Sequence, residues 1–177
     1  MKYRLAAVSA ALVLAVSGCG NLPGHAPAPL QLNSEPRSFV VDARFAVQRG
    51  TDTGLARLHW TRSGGSDDWM VTAVTGQTLA HVVSGPGGVL LEQLGWPPVR
   101  AASLREISSR YLGIEIEPQW LADALFGRTP KDLPPGWKLE LDDKEGTGAV
   151  QIYKFIKLDT GNVGMRFIIE KFEPLQD

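Results

Sequence analysis

The chain has 177 residues, of which 44% are hydrophobic and 21% are charged. This composition is typical of a single globular domain. The 18 basic and 19 acidic residues give a net charge of -1, which argues against a basic nucleic-acid-binding protein and against an acidic disordered chain. The single cysteine, Cys19, excludes an internal disulfide framework and a cysteine-rich metal site.

The first residues have the pattern of an export signal. Lys2 and Arg4 precede an apolar run over residues 5–16 that is interrupted only by Ser9. Such a run is too short to cross a bilayer core of ~30 Å, so residues 1–18 are predicted to be a signal peptide.

Small residues lie directly before Cys19, in a pattern that resembles the lipobox of bacterial lipoproteins. We therefore expect Cys19 to be the lipidated first residue of the mature chain. The alternative is a secreted protein with one free cysteine. Gly20 follows Cys19, whereas Asp at that position would resemble an inner-membrane retention signal. The expected location is therefore the periplasmic face of the outer membrane.

Residues 19–37 are predicted to be a lipidated linker. This segment contains four of the 12 prolines, Pro23, Pro27, Pro29 and Pro36, and proline favours an extended, semi-rigid spacer. Residues 38–177 are then expected to form one β domain.

Period-two alternation of apolar and polar residues predicts five successive strands, at residues 39–47, 55–61, 69–74, 78–84 and 89–94. Short glycine-containing connections separate them, and residues 49–54 are predicted to form a hairpin loop. This arrangement indicates an antiparallel meander and not a βαβ sheet.

Two short helices are predicted next. Ser103 and Glu106 have the spacing of a capping box, and Gly113 can end the helix. Pro118 suits the first position of a second helix, which Gly127 can end. Further strands are predicted at residues 137–141, 150–158 and 163–172. The expected fold is mainly β with inserted helices (α+β): about eight strands in a curved, half-open antiparallel sheet, with two helices inserted after the fifth strand and covering one face.

The sequence offers little catalytic chemistry. The three histidines, His25, His59 and His81, are not part of an HExxH motif, and the chain has no GxSxG motif. The glycine-rich segment 84–88 joins two predicted strands and is interpreted as a turn rather than a phosphate loop. Neighbouring aspartates at 67–68 and 142–143 point to opposite faces if they lie in strands. We expect a non-enzyme without a metal or cofactor.

Several segments, in order and spacing, resemble the LolB family of outer-membrane lipoproteins. They are the lipobox at Cys19, Ala43-Arg44-Phe45-Ala46-Val47, Leu58-His59-Trp60, the strand–loop–strand segment 70–79, Gly85-Pro86-Gly87-Gly88-Val89, the segment 120–130 that begins Trp120-Leu121, and Met165-Arg166-Phe167-Ile168-Ile169.

The resemblance implies the half-open sheet fold shared with the periplasmic LolA carriers. It also implies that the chain accepts acylated lipoproteins from a LolA-like carrier and releases them into the outer membrane. The expected partners are that carrier, the lipoprotein cargo and outer-membrane lipid, without nucleic acid, and the protein is expected to be a monomer.

Acyl chains require a dry apolar cavity. We expect its lining among apolar residues of the sheet face and the helices: Phe45, Trp60, Val71, Leu91, Trp120, Leu125 and Phe167. Ordinary core packing is the alternative for each of them. The resemblance also implies a membrane-delivery loop at Val74, Thr75 and Gly76, with Val74 as its aliphatic residue; alternatively, Val74 is the last inward-facing residue of its strand.

Two other functions are compatible with the sequence. The chain could be a lipid-anchored binding or scaffold module for another apolar ligand or an envelope protein. It could also be a lipoprotein hydrolase, in which Ser84 would need His81 or His59 as its base.

Overall fold

Residues 36–146 and 150–175 are described by the computed structural model. All of them lie in one compact unit, Leu32–Asp177. The predicted signal peptide, Cys19 and most of the predicted linker lie outside the described residues.

The described residues form nine strands: β1 (Phe39–Arg49), β2 (Asp52–Ser63), β3 (Ser66–Thr72), β4 (Thr78–Gly85), β5 (Gly88–Gln93), β6 (Trp96–Ala101), β7 (Lys138–Glu145), β8 (Ile152–Asp159) and β9 (Val163–Pro174). They build one sheet in the order β6-β5-β4-β3-β2-β1-β9-β8-β7. Every neighbouring pair is antiparallel. The sheet is open, since β6 and β7 are its edges, and the expected class of mainly β with inserted helices is confirmed.

The sheet has nine strands where about eight were expected, because β6 was not predicted. Pro97 and Pro98 are a local signal against a strand, since proline cannot donate to a ladder. The structure places these prolines in an edge strand, where proline is tolerated. The helices consequently follow the sixth strand and not the fifth.

Helix α1 (Leu104–Leu112) begins at the predicted cap. The backbone N–H of Glu106 donates to Ser103 Oγ at 3.3 Å, and Glu106 Oε2 accepts from the backbone N–H of Ala102 at 3.2 Å. Gly113 ends the helix with φ of 68°, a left-handed conformation that glycine adopts without strain. Helix α2 (Pro118–Leu125) begins with proline, as expected. Neither described helix is long and apolar enough to cross a membrane.

The core lies between one face of the sheet and the two helices. Alternate residues of the central strands are buried there, among them Val41 and Ala43 of β1 and Met165, Phe167 and Ile169 of β9. Helix α2 packs against β8. Two-residue alternation thus directs one side of the sheet inward, as the sequence predicts.

Candidate functional site

An apolar cavity of about 180 Å³ lies between the sheet and helix α1. Its sheet wall is built from β1 to β5 and β9, and its opposite wall consists of Leu104, Ile107, Ser108 and Tyr111 of α1, with Ile116 after the helix. Leu104, Ile107 and Tyr111 recur at helical spacing, so one face of α1 covers the space.

The polar groups beside the cavity are few. Ser108 is buried, and its Oγ accepts from the backbone N–H of Ile116 at 2.8 Å and donates to the carbonyl of Arg105 at 3.2 Å. Gln93, Tyr111 and Trp69 are the other lining residues with nitrogen or oxygen in the side chain; Gln93 is partly exposed, Tyr111 is exposed and Trp69 is buried. The interior is therefore suited to a hydrocarbon ligand, since a buried polar ligand group would find few partners.

Four of the seven expected cavity residues line this space: Phe45, Val71, Leu91 and Phe167. The rings of Phe45 and Phe167 are stacked, with centroids 5.8 Å apart. These residues come from β1, β3, β5 and β9, so the sheet brings together side chains from both ends of the domain sequence.

The other three, Trp60, Trp120 and Leu125, are buried but do not lie among the residues that line the cavity. Trp60 lies edge-on to Phe39 at 4.8 Å between ring centroids, and its Nε1 donates to Asp67 Oδ1 at 2.8 Å. Trp120 and Leu125 lie in α2, the helix that packs on β8. The structure places all three in well-packed surroundings.

Trp69 of β3 is a cavity residue that sequence reasoning missed. Its side chain is buried, and its indole Nε1 has no hydrogen-bond partner within the described part of the chain. A buried donor without a partner is unusual, because burying it costs free energy. The period-two pattern of β3 could have identified it, since Trp69 and Val71 share one face.

The expected delivery loop is a tight turn between β3 and β4. The backbone N–H of Gly76 donates to the carbonyl of Ala73 at 2.9 Å, and the N–H of Ala73 donates to the carbonyl of Gln77 at 2.8 Å. Gly76 has φ of 90°, which favours glycine. Val74 lies outside β3, next to Thr75 at the tip, and is 66% exposed.

The histidines considered as hydrolase bases lie against carboxylates. Nε2 of His81 is 2.9 Å from Asp68 Oδ1, and its Nδ1 is 3.3 Å from Glu92 Oε2. Nδ1 of His59 is 2.6 Å from Asp42 Oδ1. Both ring nitrogens of His81 are thus engaged by groups other than Ser84.

The pKa of His81 is raised. Burial is the largest single influence and lowers it, but the hydrogen bonds and negative charges of Asp68 and Glu92 together outweigh burial. Across the described residues, no group of three or more histidine, cysteine, aspartate or glutamate side chains is arranged to hold a metal ion.

Residues 37–152 match the family described as outer membrane lipoprotein LolB. The chain belongs to the LolB family. The match covers the strands β1 to β7 and both helices. It includes every residue that lines the cavity except Met165 and Phe167 of β9.

Two curated relatives agree with this assignment. The outer-membrane lipoprotein LolB of Thiobacillus denitrificans is 31% identical over 121 residues, which are 67% of this chain and 63% of that protein. The outer-membrane lipoprotein LolB of Neisseria meningitidis is 25% identical over 172 residues, or 91% of this chain and 87% of that protein. The first alignment therefore covers less than two thirds of the Thiobacillus protein.

A LolA superfamily protein from Nitrosomonas europaea is a similar solved structure, with a TM-score of 0.42 and 8% identity, covering 83% of this chain and 90% of that chain.

Membership of the LolB family confirms the expected resemblance and the expected location as an outer-membrane lipoprotein. Membership of this family of outer-membrane lipoproteins also agrees with the expectation of a non-enzyme.

Proposed function

We propose that this LolB-family protein accepts acylated lipoproteins from a periplasmic LolA-like carrier and inserts them into the outer membrane. The observation that carries the proposal is the apolar cavity between the sheet and α1, lined by Phe45, Val71, Leu91 and Phe167. Acyl chains leave water for such a space at a gain of ~0.8 kcal/mol per buried CH₂. Transfer from the carrier requires only that this cavity bind acyl chains more favourably than the donor does.

The size of the cavity sets how much cargo it holds. A cavity of about 150 Å³ accommodates benzene, which has six carbons, so the 180 Å³ present here holds on the order of seven methylenes. Their burial contributes roughly 5–6 kcal/mol. Three long acyl chains contain several times as many carbons, so the cavity has to widen when a complete lipoprotein anchor enters.

Helix α1 is the wall that can move with the least disruption. The sheet wall is fixed by ladder hydrogen bonds on both sides of each inner strand, whereas α1 contributes side-chain contacts. Ser108 Oγ accepts from the N–H of Ile116, and Arg105 Nε donates to Glu117 Oε1 at 3.0 Å. These bonds link α1 to the start of α2, so we expect the outward movement to involve the connection between the helices.

Trp69 supplies a polar group that suits an acylated ligand. An acyl chain ends in an ester or amide carbonyl, which accepts a hydrogen bond, and Trp69 Nε1 is a buried donor for which the described residues supply no acceptor. A carbonyl that reached this nitrogen would remove the cost of the unsatisfied donor.

Delivery requires contact between the loaded protein and lipid, and we assign it to the loop with Val74, Thr75 and Gly76. Val74 is exposed at the tip and is aliphatic, so it can enter the lipid headgroup boundary. Val74→Glu should slow cargo transfer to liposomes and leave acceptance from the carrier nearly intact, because the charge opposes insertion and lies outside the cavity. Transfer at the unmodified rate would exclude this loop as the delivery element.

Photo-crosslinking tests the acceptance step directly. Benzoylphenylalanine would replace Tyr111, a partly exposed cavity residue, and the protein would be mixed with a carrier–lipoprotein complex. We expect a crosslink to the lipoprotein that depends on its acylation. The matched control is the same photoreactive residue at Val83, which is exposed and follows the cavity residue Val82, so that it points to the opposite face of the sheet.

Three outcomes separate the functions. Acylation-dependent crosslinking at position 111 alone supports the receptor function. Crosslinking at position 111 that does not depend on acylation, without transfer from the carrier, supports the binding or scaffold alternative. Depletion in the native cell provides the physiological check: the proposal fails if lipoproteins do not accumulate on the periplasmic carrier.

A further inference from the structure

A second apolar tip lies on the turn between β5 and β6. Leu94 is 65% exposed and Trp96 is 72% exposed, the largest exposed fraction among the large apolar side chains of the described residues. Gly95 between them has φ of 78°, which allows the tight reversal. Large apolar side chains that are exposed side by side, unlike single scattered ones, mark a surface that contacts a protein or a membrane.

This tip lies at the same end of the sheet as the Val74 loop. The strands β3 to β6 are successive antiparallel neighbours, so the β3–β4 and β5–β6 connections emerge at one end, roughly 10 Å apart, or two strand spacings. Trp96 is paired with Gln93, which lines the cavity. Since residues directly opposite one another share a face, Trp96 lies on the cavity side of the rim.

We propose that the Leu94–Trp96 tip is a second membrane-contacting element, which inserts into the headgroup region of a lipid bilayer and places the cavity rim against the membrane. The inference rests on the proposed delivery function. It adds a contact that does not involve the Val74 loop, and it assigns Trp96 the main role, because tryptophan favours the membrane interface, where its ring is partly apolar and its N–H remains hydrated.

The chemistry of the tip favours lipid over a protein partner. β6 is an edge strand, but Pro97 and Pro98 lack the N–H groups that an added strand would need, so pairing with another chain is blocked. Residues 93–98 contain no charged side chain, and the net charge of the whole chain is -1. Attraction to anionic headgroups therefore contributes little, and we expect binding by apolar insertion that is insensitive to salt.

The length of the tether allows this contact. Cys19 precedes Pro36, the first described residue, by 17 positions, and a fully extended chain of that length reaches roughly 56–61 Å. The β1 strand begins at the opposite end of the sheet from the tip, and its 11 residues span roughly 33 Å. A domain anchored through Cys19 can thus turn its tip to the membrane that holds its own anchor.

The test uses the full-length acylated protein in phosphatidylcholine vesicles whose lipid chains carry bromine, which quenches tryptophan at short range. We expect quenching in the wild type that is largely lost in Trp96→Phe, at both low and high salt. The matched control is Trp137→Phe, which removes a partly buried tryptophan near Trp120 and should leave the quenching unchanged.

A second variant measures the consequence for delivery. Trp96→Glu should reduce the rate of cargo release to vesicles on the order of tenfold, the effect of losing one large apolar side chain from the interface. Circular dichroism should show an unchanged fold, since Trp96 is largely exposed. If the protein accepts cargo but quenching is equal in Trp96→Phe and wild type, this inference is overturned and the proposed function stands. Selective quenching of Trp96 in a protein that accepts no cargo would support the membrane contact and overturn the proposed function.

Discussion

Replacing Ala80 by Leu distinguishes an open cavity from a tightly packed core. Ala80 lies in β4 and lines the cavity beneath α1. In a filled core, three added carbons force neighbouring side chains out of their preferred rotamers and destabilise the protein by about 1–3 kcal/mol. In an open cavity the same carbons occupy free space and gain contacts, so the sign of the stability change is reversed.

The magnitude follows from the cavity volume. If benzene's six carbons fill about 150 Å³, three carbons fill about 75 Å³ of the 180 Å³ available. At ~24 cal/mol per Å³ of cavity removed, the gain is about 1.8 kcal/mol, and at ~0.8 kcal/mol per CH₂ it is about 2.4 kcal/mol. Ordering the leucine side chain costs about 0.5–1 kcal/mol. The expected net effect is an increase of about 1–2 kcal/mol in the free energy of unfolding.

Urea denaturation of the chain from residue 20 onward measures this change, and displacement of a fluorescent fatty acid measures acyl binding. We expect Ala80→Leu to raise stability and to weaken fatty-acid binding on the order of tenfold, because it occupies ligand space. The control is Ala124→Leu in α2, where the alanine is fully buried and does not line the cavity; it should destabilise the protein by about 1–3 kcal/mol. Destabilisation by Ala80→Leu of the same size as by Ala124→Leu, with unchanged fatty-acid binding, would refute the cavity.

Three further predictions concern the anchor, a buried ion pair and a histidine. Cys19→Ala should leave the chain unacylated, and an unmodified Cys19 within a longer N-terminus in mass spectra of the membrane-extracted wild type would contradict the lipidation site. Asp67→Ala should lower the free energy of unfolding by about 3 kcal/mol, because buried Asp67 accepts from Trp60 Nε1 and pairs with Arg62 Nε at 2.9 Å; a loss below 1 kcal/mol in urea denaturation would contradict it. Folding raises the pKa of His81, so its stabilising contribution is fully present below the unfolded pKa of about 6.5 and is lost as pH rises through the folded pKa. The difference in melting temperature between wild type and His81→Gln should therefore be larger at pH 5.5 than at pH 8.5, and a difference independent of pH would contradict this assignment.

The sequence by itself determined the class of fold and the faces of its elements. Period-two alternation identified eight of the nine strands, and the caps at Ser103 and Pro118 located both helices, because these signals depend on local backbone geometry. β6 has no clear local strand signal, because it contains two prolines, and proline is excluded from central strands but tolerated at an edge. Which strands lie at the edges depends on which strands pair. Here β1 pairs with β9, from the other end of the domain sequence, and the resulting strand order leaves β6 and β7 at the edges.

Only the tertiary structure decided which apolar residues surround the cavity. Alternation showed that Phe45, Val71, Leu91 and Phe167 face inward. Trp60 faces inward as well, but the rings of Phe39 and Trp69 pack against it and it does not line the cavity. Both helices have apolar faces, yet α1 covers the cavity while α2 packs on β8. A periodic pattern specifies the direction of a side chain, whereas its surroundings depend on which side chains of other strands and which helix pack against it. Those contacts are set by the packing of the whole chain. The same types of apolar residue can therefore surround a cavity or fill a core.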